Sequence, residues 1–237
     1  MSLHHNPRIV TEGLVFYLDA ADINCYPGSG TTATDLTGNG NNGTLYNSPG
    51  YASDNKGAWV FDATNNYIGI ANPSYPAAYT DPFTLGVWAY IPSGATWYNA
   101  GSGTAIIGRG SYGGSLGIMR RSTNNEIYAA VRINSGVAGP LGVAATIGRD
   151  AWYSLVYTWD GSNVVLYVNG ALISSYTVNA DTNFGQADYI FAGNVAFGGS
   201  GGGYGEGTYT GAHLYSRALS ADEILQNYEA QKTRFGL

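Results

Sequence analysis

Cysteine, methionine and lysine are nearly missing from this chain. Its 237 residues include one Cys and two Met, and Lys56 and Lys232 are its lysines. A lone cysteine, Cys25, excludes any intrachain disulfide framework and reads as a small buried hydrophobe. One cysteine and three scattered histidines also leave no zinc site of ordinary composition. His4 and His5 are neighbours, but two histidines alone do not make a metal site. Charge is scarce, at 11% of residues, and the net charge is −6. The arginines are dispersed, so nothing forms the basic stripe that tracks phosphates, and nucleic acid is not an expected partner. No apolar run approaches the roughly 20 residues of a membrane-spanning helix. The opening MSLHHNPRIVTEGL has neither a basic n-region nor an apolar h-region. No secretory signal is expected, and the protein is expected to be made, and first held, in a cytoplasm.

What is abundant points to β-structure. There are 35 Gly, 20 Tyr and 5 Trp. Tyr, Trp, Val and Thr favour strands and the glycines supply turns, so the fold class is all-β. The clearest stretch is Ala151 to Tyr176, where Asp160-Gly161-Ser162 and Asn169-Gly170 separate three β-branched and aromatic runs. Both turn sequences tolerate φ > 0, the requirement of a tight hairpin, so a three-stranded meander is expected. Along its first run Tyr153, Leu155, Tyr157 and Trp159 share one face, with Trp152, Ser154, Val156 and Thr158 on the other. The aromatic face suits packing against a second sheet.

Further strands are expected at Leu14 to Leu18, Phe83 to Ile91, Thr104 to Arg109, Leu116 to Arg121, Glu126 to Ile133, Leu141 to Ile147, Tyr189 to Ala192 and Tyr209 to Tyr215. Trp59 to Phe61 and Tyr67 to Ile70 read as a hairpin around Asp62-Ala63-Thr64-Asn65-Asn66. Ala20 to about Gly43 is dense in Gly and Asn, and so long a loop implies function or a fold back onto the surface. The one helix, about residues 220–233, opens on a capping box of Ser220 and Glu223. Its apolar stripe is Ile224, Leu225 and Tyr228, and it is expected to cross one end of the sandwich. No linker divides the chain: residues 1–12 form an arm and 13–237 a single domain.

Four blocks carry a family resemblance. WYSLVYTWDGSNVVLYVNGALISS, GTYTGAHLYSRALSADEILQNYEAQKTRFG, VFDATNNYIGI and DLTGNGNNGTL are similar, in the right order, to the hairpins, loop and closing strand of laminin-G-like domains. Those belong to the concanavalin A-like lectin and glucanase group, and the resemblance implies a jelly-roll sandwich of two antiparallel sheets with one short C-terminal helix. The opening GLVFYLDAADINCYPGSGTT and the ending resemble such domains in tailed bacteriophages. This implies a virion structural protein: a fibre, tail or capsid-decorating subunit. In one departure, His213 stands in the closing strand where many of the group carry an acid.

Bond-breaking chemistry finds little support. Glycoside hydrolysis needs two carboxyls about 5 to 9 Å apart, and the glucanases of this group alternate their acids on one strand. The glutamates here are Glu12, Glu126, Glu206, Glu223 and Glu229, and none lies in such a run. Glu126 and Glu206 are the ones a glycosidase would use. His213 with Ser216 is the sole Ser–His candidate, without a nucleophile-elbow sequence, and reads as structural. No cofactor is expected. Asp35 with Asn39 and Asp62 with Asn65 are oxygen-rich enough for a structural calcium ion, but Asx turns explain them more simply.

Surface binding remains. Large exposed aromatics on loops are the informative exceptions to burial, and Trp97, Tyr98, Tyr112, Tyr204 and Tyr209 are the candidate ligand-binding residues, on loops 92–104, 110–115 and 194–209. The chain is therefore expected to be a non-enzymatic virion subunit that self-associates and contacts other virion proteins through its arm and helix. Host-surface carbohydrate is a further expected partner. The alternatives are a stand-alone carbohydrate-binding module and a glucanase-type hydrolase.

Overall fold

A computed structural model of the chain describes residues 8–71, 81–95, 104–109, 116–120, 126–131, 141–177, 195–197, 199–200 and 203–237. Its first strands are β1 (Leu14–Leu18), β2 (Thr32–Ala33), β3 (Gly43–Tyr46), β4 (Gly50–Ala52), β5 (Ala58–Asp62) and β6 (Tyr67–Ile70). Next come β7 (Phe83–Tyr90), β8 (Thr104–Arg109), β9 (Leu116–Arg120), β10 (Glu126–Val131), β11 (Leu141–Thr146) and β12 (Trp152–Trp159). The last are β13 (Asn163–Val168), β14 (Ala171–Thr177), β15 (Val195–Phe197), β16 (Gly199–Ser200), β17 (Gly203–Tyr204) and β18 (Glu206–Tyr215), followed by helix α1 (Ala221–Gln231). The strand expected at Tyr189 to Ala192 lies outside the described residues.

Two antiparallel sheets face each other. The first runs β14-β13-β12-β7-β18-β5-β4, with β1 also on β18, and the second β11-β10-β9-β8-β15-β6-β3-β2. The meander forms as its turns require. Asn169 and Gly170 both have φ > 0, and Asp160 accepts the Ser162 and Asn163 N–H groups. Leu155, Tyr157 and Trp159 lie in the core between the sheets with Phe16, Trp59, Phe61 and Ile68. Val156 and Trp152 face outward into separate clusters, as the alternation predicts.

One strand pairing is corrected. β5 and β6 are not a hairpin: β5 pairs with β4 and β18, while β6 pairs with β3 and β15 in the other sheet. The residues between them carry the chain across the sandwich, because Trp59 and Phe61 need one layer and Ile68 and Ile70 the other. The Ala20 to Gly43 stretch folds against the core, burying Cys25, Tyr26 and Ala33. Asp35 fastens it by accepting from the Tyr17, Thr37 and Asn41 N–H groups and the Thr37 hydroxyl. Cys25 accepts the Asp19 N–H, and burial pushes its thiol up to about 12, so it is inert as a nucleophile.

The helix covers the outer face of the first sheet, not an end. That face carries Trp88, Trp152, Val156 and Tyr215, too much apolar surface to leave wet. The capping box is present. Ile224, Asn227, Tyr228 and Gln231 look inward at helical spacing, whereas Leu225 is 46% exposed. A polar residue takes a buried place because Asn227 joins three segments. Its Oδ1 accepts the Val10 N–H and its amide donates to the Tyr215 hydroxyl, which donates to the Val10 carbonyl. From Arg8 onward the arm is thus bound to the chain's own helix.

Candidate functional site

Of the expected ligand-binding residues, Trp97, Tyr98 and Tyr112 lie outside the described residues. Tyr209 is corrected: it is fully buried, stacked on Phe61 with ring centroids 5.2 Å apart. β18 begins at Glu206, so Tyr209 is an inward strand residue and not a loop residue beside the glycines. A side chain at Gly207 would collide with the Tyr209 phenol, which explains the glycine two residues before it.

Tyr204 does belong to a surface site, with two partners that loop-based reasoning missed. Tyr46 and Tyr67 are cross-strand partners on β3 and β6. Their neighbours Leu45 and Ile68 point into the core, so both tyrosines stand on the outer face. Their rings stack at 4.6 Å with planes 11° apart. Tyr204 continues the series, 6.3 Å from Tyr67 at 41°. Tyr46 is 38% exposed, and Tyr67 and Tyr204 are half-buried. Burial raises the Tyr67 phenol above its usual pKa, and the phenols of Tyr46 and Tyr204 add to the rise. It therefore stays a neutral donor at physiological pH.

The three rings sit beside the crossing from β5 to β6, at the point where β17 leads into β18. Polar residues lie close to them along the chain. Asn47, at φ 55°, donates through its amide to the Asn65 carbonyl. Asp62 faces Glu206 across the strand pair. Asp62 accepts the Thr64 N–H, and Asn66 accepts the Asp62 N–H, the Asx geometry expected of this sequence. The signal that could have exposed the site is register: aromatic residues at 46 and 67 become a pair only once β3 and β6 are placed side by side. A concavity of about 310 Å³ is lined by Ala52, Asp54, Tyr90, Trp152 and Thr208.

Several residues considered for catalysis are engaged with other partners. Glu126 and Glu206 stand in different sheets. Glu223 is taken by Arg217 at 2.6 Å and by the helix cap, which hold its carboxyl down at about 2. Glu229 pairs with Lys232. Ser216 donates to the Gly13 carbonyl and not to His213. Among the described residues, no three His, Cys, Asp or Glu side chains gather to hold a metal. No helix there is long and apolar enough to cross a membrane.

His213 is buried against Gly86, whose missing side chain provides its space. Its Nδ1 bonds the Gly211 carbonyl, while Nε2 has no hydrogen-bond partner among the described residues. Burial lowers its pKa from 6.5 to about 4, so the fold holds the neutral imidazole. The unfolded chain takes up a proton first, and stability therefore falls as pH drops from 6.5 toward about 4 and levels below that. The slope from this one residue is at most about 1 kcal/mol per pH unit. Urea midpoints of wild type and His213→Gln across this window should converge toward low pH. An unchanged pH slope in the variant would contradict the assignment.

A laminin-G-type family model, described as the Concanavalin A-like lectin/glucanases superfamily, matches residues 62–225, well over half the chain. The chain belongs to this superfamily. Among curated proteins, none matches its sequence. Solved structures similar to this superfamily member include the receptor-binding domain of botulinum neurotoxin C/D mosaic serotype (TM-score 0.69, 14% identity), covering 92% of this chain and 51% of that one. The binding domain of botulinum neurotoxin DC in complex with SialylT is similar at TM-score 0.67 and 13% identity, covering 92% and 52%. The binding domain of Paraclostridial Mosquitocidal Protein 1 is similar at 0.65 and 16%, covering 91% and 52%. The chain spans about half the length of these structures, and at such identities the likeness is one of fold.

Proposed function

We propose that this chain is a non-catalytic binding module in which Tyr46, the exposed end of the Tyr46–Tyr67–Tyr204 series, stacks its open face against the apolar face of a glycan. The observation that carries the reading is the ring series itself. Sugar rings present a flat C–H face to aromatic planes and hydroxyls at the rim, and a small number of placed polar groups then fixes orientation. Asn47, Asn65, Asp62 and Glu206, close to the tyrosines along the chain, can supply such groups. Superfamily membership supports the reading, as do the botulinum binding domains of the same fold, one of them in complex with SialylT.

The bacteriophage-like phrases support a place for the module on a virion, as a fibre, tail or capsid-decorating subunit that meets a host-surface glycan. Mass spectrometry of intact particles is expected to find the chain as a stoichiometric component. Glycan-array screening is expected to give hits that weaken about tenfold in Tyr46→Ala, since an aromatic contact contributes roughly 0.5–1.5 kcal/mol beyond the area it covers. No array hits, or binding unaffected by this substitution, would refute the glycan reading. Reducing-sugar release would refute the non-catalytic one.

A further inference from the structure

Helix α1 and the turn after it leave part of the first sheet's outer face as a hollow. Trp152, Tyr90 and Thr208 are cross-strand neighbours on β12, β7 and β18, so their side chains stand in one row. With Ala52 and Asp54 they line the concavity of about 310 Å³. Asp54 opens the short 3-10 turn Asp54–Lys56 after β4 and is exposed. The Tyr90 and Trp152 rings lie 5.8 Å apart with planes at 48°, a corner and not a stack. Phe235 packs on Trp152 at 4.8 Å and on Trp88 at 4.0 Å. Packing thus fixes the corner in advance, and little ordering is lost when a ligand enters. Beside it the Tyr90 hydroxyl donates to Asp150 at 3.4 Å. The Ser93 N–H holds the Asp150 carboxyl below its usual range, so this charge persists at neutral pH.

The lining is electrostatically one-sided. An aromatic face is the negative end of a ring quadrupole, Asp54 is a carboxylate, and the Thr208 hydroxyl can accept. No basic residue is among those that line the concavity. In the C-terminal segment, Lys232 is paired with Glu229 and Arg234 with Asp19. A net charge of −6 favours approach of a cation. We propose that this concavity binds a small organic ammonium group, seated on the Tyr90–Trp152 corner with its charge toward Asp54. A cation within about 6 Å of a ring centroid is attracted by the quadrupole, and here two rings and a carboxylate converge. A sugar, by contrast, would meet no amide or cationic donor on this lining. The proposal is independent of the glycan reading, since Tyr46 and Tyr67 stand on the other sheet.

Choline and neohexyl alcohol, its uncharged carbon isostere, test the site on the full chain by NMR titration. Choline is expected to shift the Trp152 indole N–H and the Tyr90 ring resonances saturably, and the alcohol to bind at least about fivefold more weakly. Asp54→Asn should weaken choline roughly fivefold, the upper scale of one exposed ion pair, and leave the alcohol unchanged. Tyr90→Leu, which keeps apolar bulk without the ring, should weaken choline by about twofold to fivefold, whereas Tyr90→Phe should retain most of the binding. Tyr46→Ala should bind choline as wild type does, so failure of the sugar site leaves this result unaffected. No saturable shift at Trp152 and Tyr90 would overturn the proposal. So would an equal response to the alcohol, which marks a merely apolar hollow, or unchanged choline binding in Asp54→Asn.

Discussion

Replacing Arg234 with alanine is expected to destabilise the domain by about 3–5 kcal/mol, the loss typical of removing one member of a buried ion pair. Arg234 donates to both carboxylate oxygens of Asp19, at 2.8 and 2.7 Å, and to the Gly57 carbonyl. Both side chains are mostly buried. Asp19 also receives the Thr210 hydroxyl, the Tyr17 hydroxyl and the Ala21 N–H. One carboxylate thus ties β1, the folded-back loop, β18 and the C-terminal segment together. Without the guanidinium it is left charged in a dry site. The measurement is the urea midpoint, or a melting temperature lowered by on the order of 10 °C for a domain of this size. Arg234→Lys should recover only part of the loss, since an ammonium cannot reproduce the two-pronged contact. A loss under about 1 kcal/mol, the scale of a surface pair, would contradict this role.

Trp88→Ala is the other large effect, about 3–5 kcal/mol by the usual cost of truncating a buried aromatic. Trp88 projects from β7 to the outer face, between Phe235 at 4.0 Å and Tyr228 at 5.8 Å, with planes 17° and 19° from its own. Its indole N–H donates to Gln231 at 2.7 Å. The ring is the anchor beneath α1 and the following turn, so its removal should loosen that segment more than the inter-sheet core. Hydrogen exchange reads the difference: amides of residues 221–235 should lose protection well before those of β12. Uniform loss of protection would show that the segment is not a separate layer.

Much of the fold was legible because it rests on local chemistry. Asn169-Gly170 and Asp160-Gly161 announced their turns by what φ > 0 demands, and Ser220 with Glu223 announced the helix start. The alternation along β12 predicted both its core face and its outer face. What escaped was set by distant partners. β5 and β6 looked like a hairpin because sequence proximity cannot reveal that each is claimed by a different sheet. Nothing local marks Asn227 as buried; its place is set by Val10 and Tyr215, distant in sequence. Tyr209 and Tyr204 were read alike, though the start of β18 separates them: one ring is in the core and the other outside. The site was half legible for the same reason. Tyr204 stands beside the Gly-rich loop, while Tyr46 and Tyr67 join it only through the register of β3 on β6.

The most direct test follows the tyrosine ring resonances by NMR while a glycan selected on the array is titrated in. Shifts concentrated on Tyr46, Tyr67 and Tyr204 are the predicted result. Shifts at Tyr90 and Trp152 instead, or none at any of the three tyrosines at saturating glycan, would contradict the account.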